Sequence, residues 1–177
     1  MKGSVISQEL IRSILGRYTL PWEGIHGVPH WARVLENGRR LLEVTGARRD
    51  IVELFAVIHD SQRINEVTDD GHGRRGSELA RDLRGEVYEL DDETFALLIK
   101  ACDLHTEGCQ KGDVTVRTCW DADRLDLARV GIIPRPEKLC TEEAKDPSLL
   151  NWAIERSEMF FVPDLISKEW GIRLPGR

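Results

Sequence analysis

The sequence predicts an all-α protein that folds as a single domain. Its 177 residues are enough for one domain that buries roughly 70% of the surface of its unfolded chain. Apolar residues recur at intervals of three and four, whereas the alternation typical of half-buried strands is scarce. No internal repeat, low-complexity stretch or linker interrupts this pattern, so the expected domain spans residues 1–177.

The first two predicted helices are amphipathic and end next to glycines. Apolar residues between Val5 and Leu15 indicate the first helix, which is expected to stop at Gly16. Pro29 is typical of a first helical turn and opens the second helix, and Gly46 follows its end. Each helix therefore presents one apolar face to a core.

The third predicted helix is apolar almost all round. The run between Ile51 and Ile58 leaves hardly any polar face, so we expect this helix to lie at the centre of the domain. Asp50 is expected to cap its start, and Glu53, three residues further on, would complete a capping box.

The helical pattern continues through the second half of the chain. A glycine-rich loop precedes the amphipathic segment RRGSELARDL, and Asp91 is expected to cap a helix that runs toward His105. The segment TVRTCWDADRLDLARV is expected to be helical as far as Gly131.

Residues 134–177 form a helical extension. Pro147 is expected to open a helix with apolar residues around Trp152, and Pro163 separates a last segment. This helix can either cover the core or provide the surface of a homodimer.

Composition and charge narrow the function classes. The chain is 41% apolar and 32% charged, as is ordinary for a soluble protein, and its net charge of −6 does not favour a nucleic-acid partner. No apolar run approaches the ~20 residues needed to cross a bilayer, and no signal-type stretch opens the chain. We expect a cytoplasmic protein without a membrane partner, whose four cysteines are reduced thiols.

Histidines and aspartates recur at the predicted helix ends. The five histidines are His26, His30, His59, His72 and His105. Asp60 follows one of them directly, and CWDADRLD supplies Asp121, Asp123 and Asp126. Buried ionisable groups are costly unless they are paired or bind a metal, and this mixed donor set suits Zn, Mn, Fe or Ni better than Ca. From spacing alone, paired core histidines and a metal site are both open.

Three motifs together resemble the HD-domain superfamily of metal-dependent phosphohydrolases. They are HGVPHWARV, HDSQR and DADRLD. The signature of that family is a His, then a His-Asp doublet, then a distant Asp. The resemblance implies that His30, His59, Asp60 and Asp123 are metal ligands.

The resemblance covers residues 26–130 and implies a helical bundle. Asp121 and Asp126 become neighbours of the ligands. On this interpretation the third helix ends in a His-Asp doublet because that end forms the edge of a metal site.

Two further segments are similar to members of the family that hold two metals. In GHGRRGSELA and LLIKACDLHTEG, the resemblance implies that His72 and His105 ligate a second ion, with Asp60 as a bridging catalytic residue. The expected cofactor is one or two divalent ions, with Mn, Fe, Ni, Zn, Co and Mg all open. His26 is either an alternative to His30, a residue that contacts substrate in the cleft, or structural.

The implied activity is hydrolysis of a phosphate ester or anhydride of a nucleotide or similar small molecule by metal-activated water. Arg63, Arg74 and Arg75 are candidates to bind phosphate, because a guanidinium matches phosphate oxygens; each can instead pair with an acidic side chain. Arg63 and Glu66 are assigned catalytic roles, Glu66 as an acid or base for the leaving group, with Asp69 as the alternative.

Two other functions stay open. A minority of two-metal relatives are di-iron oxygenases, which the additional histidines would suit. A module that binds metal or nucleotide without catalysis is the third interpretation. Trp22, Trp31 and Trp120 are expected either to stack on a base or to pack in the core.

Overall fold

The computed structural model describes residues 3–108 and 110–175, which contain eight α-helices, three short 3₁₀ helices and no β-strand. The α-helices are α1 Gln8–Leu15, α2 Val28–Thr45, α3 Arg49–Ile58, α4 His72–Leu83, α5 Asp92–Leu104, α6 Val114–Arg124, α7 Pro147–Glu158 and α8 Leu165–Lys168. The 3₁₀ helices are Leu127–Val130, Pro136–Lys138 and Glu143–Lys145. The predicted all-α class is confirmed.

Helix α3 lies at the centre of the bundle, as its sequence predicts. It contacts α1, α2, α4, α5 and α6, and every side chain from Ile51 to Ile58 is buried. Each large aliphatic side chain removed from water in this way contributes about 1.5–3 kcal/mol. This packing fixes the position of the residues that follow the helix.

The start of α3 differs from the predicted capping box. Its N-cap is Arg48, without a side-chain cap, and Asp50 pairs with the Arg48 guanidinium at 2.9 Å. Glu53 is buried and accepts hydrogen bonds from the Ser4 hydroxyl at 2.8 Å and from Arg39 Nε at 3.3 Å. The prediction was wrong because two of the groups that bind Glu53 are distant in sequence, where a local pattern does not reach.

Two other helix starts depend on local caps. Asp91 accepts a hydrogen bond from the main-chain N–H of Thr94 at 2.9 Å, which confirms the predicted cap of α5. Helix α1 begins later than predicted, because the Ser7 hydroxyl caps it by accepting from the N–H of Leu10. Val5 therefore precedes the helix.

The segment predicted as one helix up to Gly131 is divided in two. Helix α6 ends at Arg124, and the chain continues as the 3₁₀ helix Leu127–Val130. Asp126 lies at the junction and is buried. The break turns this carboxylate toward α2.

The C-terminal extension packs on the core. In α7, Ala153 and Ser157 are buried and Trp152 is partly buried against the core cluster. Met159 and Phe160, at the end of the helix, are exposed. The helix covers the core, and a homodimer stays a prediction.

The tryptophans of α2 and α6 belong to the core. Trp31 and Trp120 are fully buried, and their indole N–H groups donate to the carbonyl oxygens of His26 and Ala101. Such buried rings pack the core and do not form a stacking wall for a base. Trp22 is partly buried against the same core.

The cysteines described by the structure are buried. Cys102 and Cys119 are free thiols, and burial raises the pKa of the thiols of Cys102, Cys119 and Cys140. Cys109 lies outside the described residues. Within the described part of the chain, each helix is too short or too polar to span a bilayer.

Candidate metal centre

Five helix ends meet at one edge of the bundle. Helices α2 and α4 begin there, and α3, α5 and α6 end there. The side chains brought together are His26, His30, His59, Asp60, His72, His105 and Asp123. Apart from Asp123, whose side chain is 14% exposed, all are less than one-tenth exposed. The fold thus gathers the residues proposed as ligands from distant parts of the sequence.

The first ligand group consists of His30, His59 and Asp123, with Asp60 beside it. The two imidazole Nε2 atoms are 3.2 Å apart, and Asp123 Oδ1 lies 3.5 Å from that of His30 and 3.6 Å from that of His59. Asp60 Oδ2 lies 3.5 Å and 3.9 Å from the same two nitrogens. Ligands about 2.1 Å from a tetrahedral cation are about 3.4 Å from one another. These separations therefore fit a single ion.

The second ligand group consists of Asp60, His72 and His105. Asp60 Oδ1 lies 3.1 Å from Nε2 of His72 and 3.5 Å from Nε2 of His105, and the two nitrogens are 2.9 Å apart. Asp60 thus offers one carboxylate oxygen to each group. Gly73 allows the start of α4 to approach the end of α5, since a Cβ at this position would lie 2.5 Å from the carbonyl oxygen of Cys102.

Hydrogen bonds to the main chain fix the orientation of three imidazoles. Their Nδ1 atoms bond to carbonyl oxygens: His59 to Phe55 at 3.0 Å, His105 to Cys102 at 2.7 Å, and His72 to Asp69. A carbonyl oxygen only accepts, so Nδ1 carries the proton and a neutral ring presents the lone pair of Nε2. Lone pairs that face one another across about 3 Å repel unless a cation or a proton lies between them. The donor set is therefore suited to a cation.

Asp126 orients the fourth imidazole. Its Oδ2 lies 2.7 Å from Nδ1 of His30, and Arg33 donates to both carboxylate oxygens at 2.7 and 3.0 Å. Burial raises the pKa of Asp126, but the hydrogen bond and charge of His30 and the charge of Arg33 outweigh it and lower the pKa. An ionised Asp126 keeps the proton of His30 on Nδ1 and leaves Nε2 free.

The two ligand carboxyl groups are ionised. Burial raises the pKa of Asp60 and of Asp123, but the neighbouring imidazoles, His59 foremost, outweigh burial and bring each pKa below its ordinary value. Burial lowers the pKa of His30. For His59, burial also acts to lower the pKa, but the charges of Asp60 and Asp123 raise it. The ligand carboxylates offer two negative charges to a cation.

Two guanidinium groups flank Asp60. Arg63 Nη1 lies 3.6 Å from Asp60 Oδ1 and 3.2–3.3 Å from both ring nitrogens of His72, and Nη2 donates to the Val67 carbonyl at 2.6 Å. Arg129 Nη2 lies 3.9 Å from Asp60 Oδ2. Arg63 was among the predicted site residues, whereas Arg129 and Arg33 were missed. The spacing of Arg129, one turn after Asp126, was an available signal.

His26 lies beside the shared carboxylate. Its Nδ1 is 2.8 Å from Asp60 Oδ2 and 3.3 Å from Arg129 Nη2. His30, in contrast, directs Nε2 at His59. His26 also forms a possible ligand group with His30 and Asp60. The structure therefore places both histidines of HGVPHWARV at the centre, His30 within the first ligand group and His26 beside the shared Asp60.

Three other residues predicted for the site lie in or after the loop that follows Asp60. Arg75 Nη2 donates to both carboxylate oxygens of Asp69 at 2.6 Å, and Arg74 is exposed with its Nε 3.2 Å from Glu78. Glu66 has a buried Oε2 without a hydrogen-bond partner among the described residues. Unlike Asp69, whose carboxylate binds Arg75, Glu66 has one carboxylate oxygen without a hydrogen-bond partner in the described part of the chain.

Comparison with known proteins gives no family assignment. No protein-family model matches the chain, and no curated protein or solved structure matches it significantly. The structure itself shows buried histidine and aspartate groups that can hold a metal ion.

Proposed function

We propose that this chain is a metal-dependent phosphohydrolase that hydrolyses a phosphate ester or anhydride of a nucleotide or similar small molecule. The observation that carries the proposal is the placement of Asp60 between two sets of imidazoles, with one oxygen 3.5 Å from His30 Nε2 and the other 3.1 Å from His72 Nε2. The ordered motifs that resemble the HD-domain superfamily support the same assignment.

The charges around the centre favour an anionic substrate. Two guanidinium groups lie near the Asp60 carboxylate, Arg63 at 3.6 Å and Arg129 at 3.9 Å, and Asp126 is paired with Arg33. These groups offset part of the carboxylate charge, so divalent cations would leave the centre with an excess of positive charge. Buried charge is costly without a partner, so an anion such as a phosphate group is the expected ligand.

The donor set fits Zn, Mn, Fe, Ni or Co, which accept imidazole nitrogen together with carboxylate oxygen, more closely than Mg. When bound, such a cation lowers the pKa of a coordinated water toward about 7 and stabilises negative charge on a phosphoryl oxygen. Asp60 would bridge two cations, and Asp126 would hold His30 in the tautomer that ligates. His26, bonded to Asp60 at 2.8 Å, is placed to hold a proton beside the shared carboxylate.

Glu66 is favoured over Asp69 as the residue that exchanges a proton with the leaving group. Asp69 is held by Arg75 and accepts a hydrogen bond from the N–H of Ile64 at 2.9 Å. Oε2 of Glu66 has no such partner among the described residues. A carboxyl group free of internal partners can serve as the acid or base, provided that the substrate reaches it.

The test is hydrolysis by protein loaded separately with Mn²⁺, Zn²⁺, Fe²⁺, Co²⁺ and Ni²⁺, measured on a panel of nucleotides and simple phosphate esters. We expect phosphate release with at least one metal and its loss in His59→Ala. Asp164→Asn is a matched control, because Asp164 is an exposed partner of Lys168. Activity that survives both His59→Ala and Asp60→Asn would overturn the assignment.

A di-iron oxygenase is the second candidate, favoured by the additional imidazoles of His72 and His105. An iron-loaded sample that takes up oxygen with an organic substrate and gives mixed-valence spectra would support it. Binding of a nucleotide without turnover would instead support a non-catalytic module.

A further inference from the structure

Tyr18 carries a buried hydroxyl beside the metal centre. The residue is 7% exposed and its ring packs edge-on against Trp31 at 5.0 Å, whose indole N–H donates to the carbonyl oxygen of His26. The hydroxyl has no hydrogen-bond partner among the described residues. Burial, together with the charges of Glu66 and Asp60, raises its pKa, so the phenol stays protonated.

Glu66 brings a carboxylate to the same region. Its Oε1 lies against the backbone of Gly24, where a Cβ would displace the Glu66 carboxylate from its present position. The other oxygen, Oε2, is buried and unpartnered in the described structure. Gly24 belongs to the loop that joins Tyr18 to His26, so both unpartnered groups border one segment next to Asp60.

These two groups do not suit the phosphate itself. The carboxylate of Glu66 repels an anion, whereas the cations and the guanidinium groups of Arg63 and Arg129 attract it. A phosphate ester bound at the cations would therefore turn its alcohol part toward Glu66 and Tyr18.

The hydrogen-bonding capacity of Tyr18 and Glu66 indicates which chemical group of a ligand they would bind. A carboxylate only accepts, and a tyrosine hydroxyl both donates and accepts. A hydroxyl on the ligand can donate to Glu66 and accept from Tyr18, which satisfies both groups. An ammonium group only donates and leaves the Tyr18 proton without an acceptor, and a methyl group satisfies neither.

We propose that Tyr18 and Glu66 form a subsite that binds a hydroxyl group on the alcohol part of the substrate. The substrate class is then a phosphate ester of a polyol, a sugar or a ribonucleoside. This inference rests on the proposed function and narrows it, and it gives Glu66 a substrate-binding role in place of the proton transfer proposed above.

Three probes that differ in one group test the subsite: 2-hydroxyethyl phosphate, 2-aminoethyl phosphate and propyl phosphate. Binding to the Mn²⁺-loaded protein is measured by calorimetry, and phosphate release is measured in parallel. We expect the hydroxyethyl ester to bind and react at least about tenfold better than the other two, because sites built to bind a hydroxyl discriminate against analogues that lack it.

Tyr18→Phe should reduce this preference to about threefold or less, because it removes the hydroxyl that donates to the ligand. Glu66→Gln should reduce it by a smaller factor, because an amide oxygen still accepts a hydrogen bond but carries no charge. Tyr88→Phe is the matched control: Tyr88 is also a buried tyrosine, but its hydroxyl donates to the Ala80 carbonyl at 2.6 Å. The control should keep the preference of the wild type. Thermal melting establishes that each variant is folded. If a variant is unfolded, the preference of the wild-type protein among the three esters still tests the subsite.

The outcomes separate this inference from the proposed function. Equal hydrolysis of all three esters would overturn the subsite and leave the phosphohydrolase standing. Selective binding of the hydroxyethyl ester without hydrolysis would support the subsite and count against the hydrolase. A preference for the aminoethyl ester, or no binding of any probe, would overturn the hydroxyl subsite.

Discussion

The two ligand groups share Asp60 but differ in how the fold holds them. His30, His59 and Asp123 come from α2, α3 and α6, which pack against one another in the core. The second group comes from the start of α4 and the end of α5, and the Arg63 guanidinium lies 3.2–3.3 Å from its His72 ring. Packing in the core holds the first group, whereas a cation at the second must also approach the positive charge of Arg63.

This difference implies unequal affinities. When packing and outer hydrogen bonds already orient the ligand side chains, metal binding does not have to offset the entropy lost in ordering them. Outer hydrogen bonds orient the imidazoles of both groups, so the difference between them comes from Arg63. At the second group, repulsion from Arg63 weakens the attraction of Asp60 for a cation. We expect the first group to fill at lower metal concentration.

The largest effect is expected where the two groups meet. Asp60→Asn removes the charge shared by both groups while keeping the side-chain volume, so both cations should be lost and hydrolysis should fall at least about 1000-fold. Elemental analysis after dialysis reports the metal, and Asp164→Asn serves as the control. Retention of two tightly bound ions in Asp60→Asn would show that this carboxylate is not shared.

Removal of one histidine from each group should change metal binding differently at the two sites. His59→Ala should abolish tight binding, whereas His105→Ala should leave one tight ion and remove the weaker one. Calorimetric titration with Zn²⁺ measures both stoichiometry and affinity. Equal losses in the two variants would contradict the inequality between the groups.

Asp126→Asn should have an intermediate effect confined to the first group. The amide oxygen is a weaker acceptor than the ionised carboxylate, and the amide NH2 cannot accept the hydrogen bond that Arg33 or His30 donates at that position, so affinity at the first site should fall about 10- to 100-fold. The weaker site should be unchanged in the same titration. Because Asp126 also pairs with Arg33, a melting curve is needed to establish that the variant is folded.

The smallest effect is expected from pH. The pKa of His59 is raised above its ordinary value of 6.5, and a protonated imidazole cannot ligate a metal. Affinity at the first group is therefore complete at pH values well above that raised pKa and declines as the pH falls through it, by at least about fourfold between pH 8 and pH 6. The pKa of His30 is lowered, so His30 should contribute less to this decline than His59. A pH-independent affinity would contradict the assignment of His59 as a ligand.

The parts of the fold that depend on local pattern could be predicted from the sequence. The apolar run of α3 predicts a central helix, and Asp91 predicts a cap because its partner, Thr94, is three residues away. Glu53 could not be placed, since two of its partners, Ser4 and Arg39, lie 49 and 14 residues away. Spacing of apolar residues carries no information about such pairs.

The residues of the candidate site also divide into those that the sequence predicted and those that it did not. The ordered motifs pointed to His30, His59, Asp60 and Asp123, which the structure brings together. Tyr18, Arg33 and Arg129 were missed because their roles arise only when separate segments pack side by side. An arginine that balances a buried carboxylate has the same local sequence as one on a solvated face.

The most direct test is anomalous X-ray diffraction from crystals soaked in Mn²⁺ at two concentrations. We predict a strong peak among His30, His59, Asp60 and Asp123 at the lower concentration, and a second peak among Asp60, His72 and His105 at the higher one. Side chains that point apart, or a lack of anomalous density at Asp60 at both concentrations, would contradict the account.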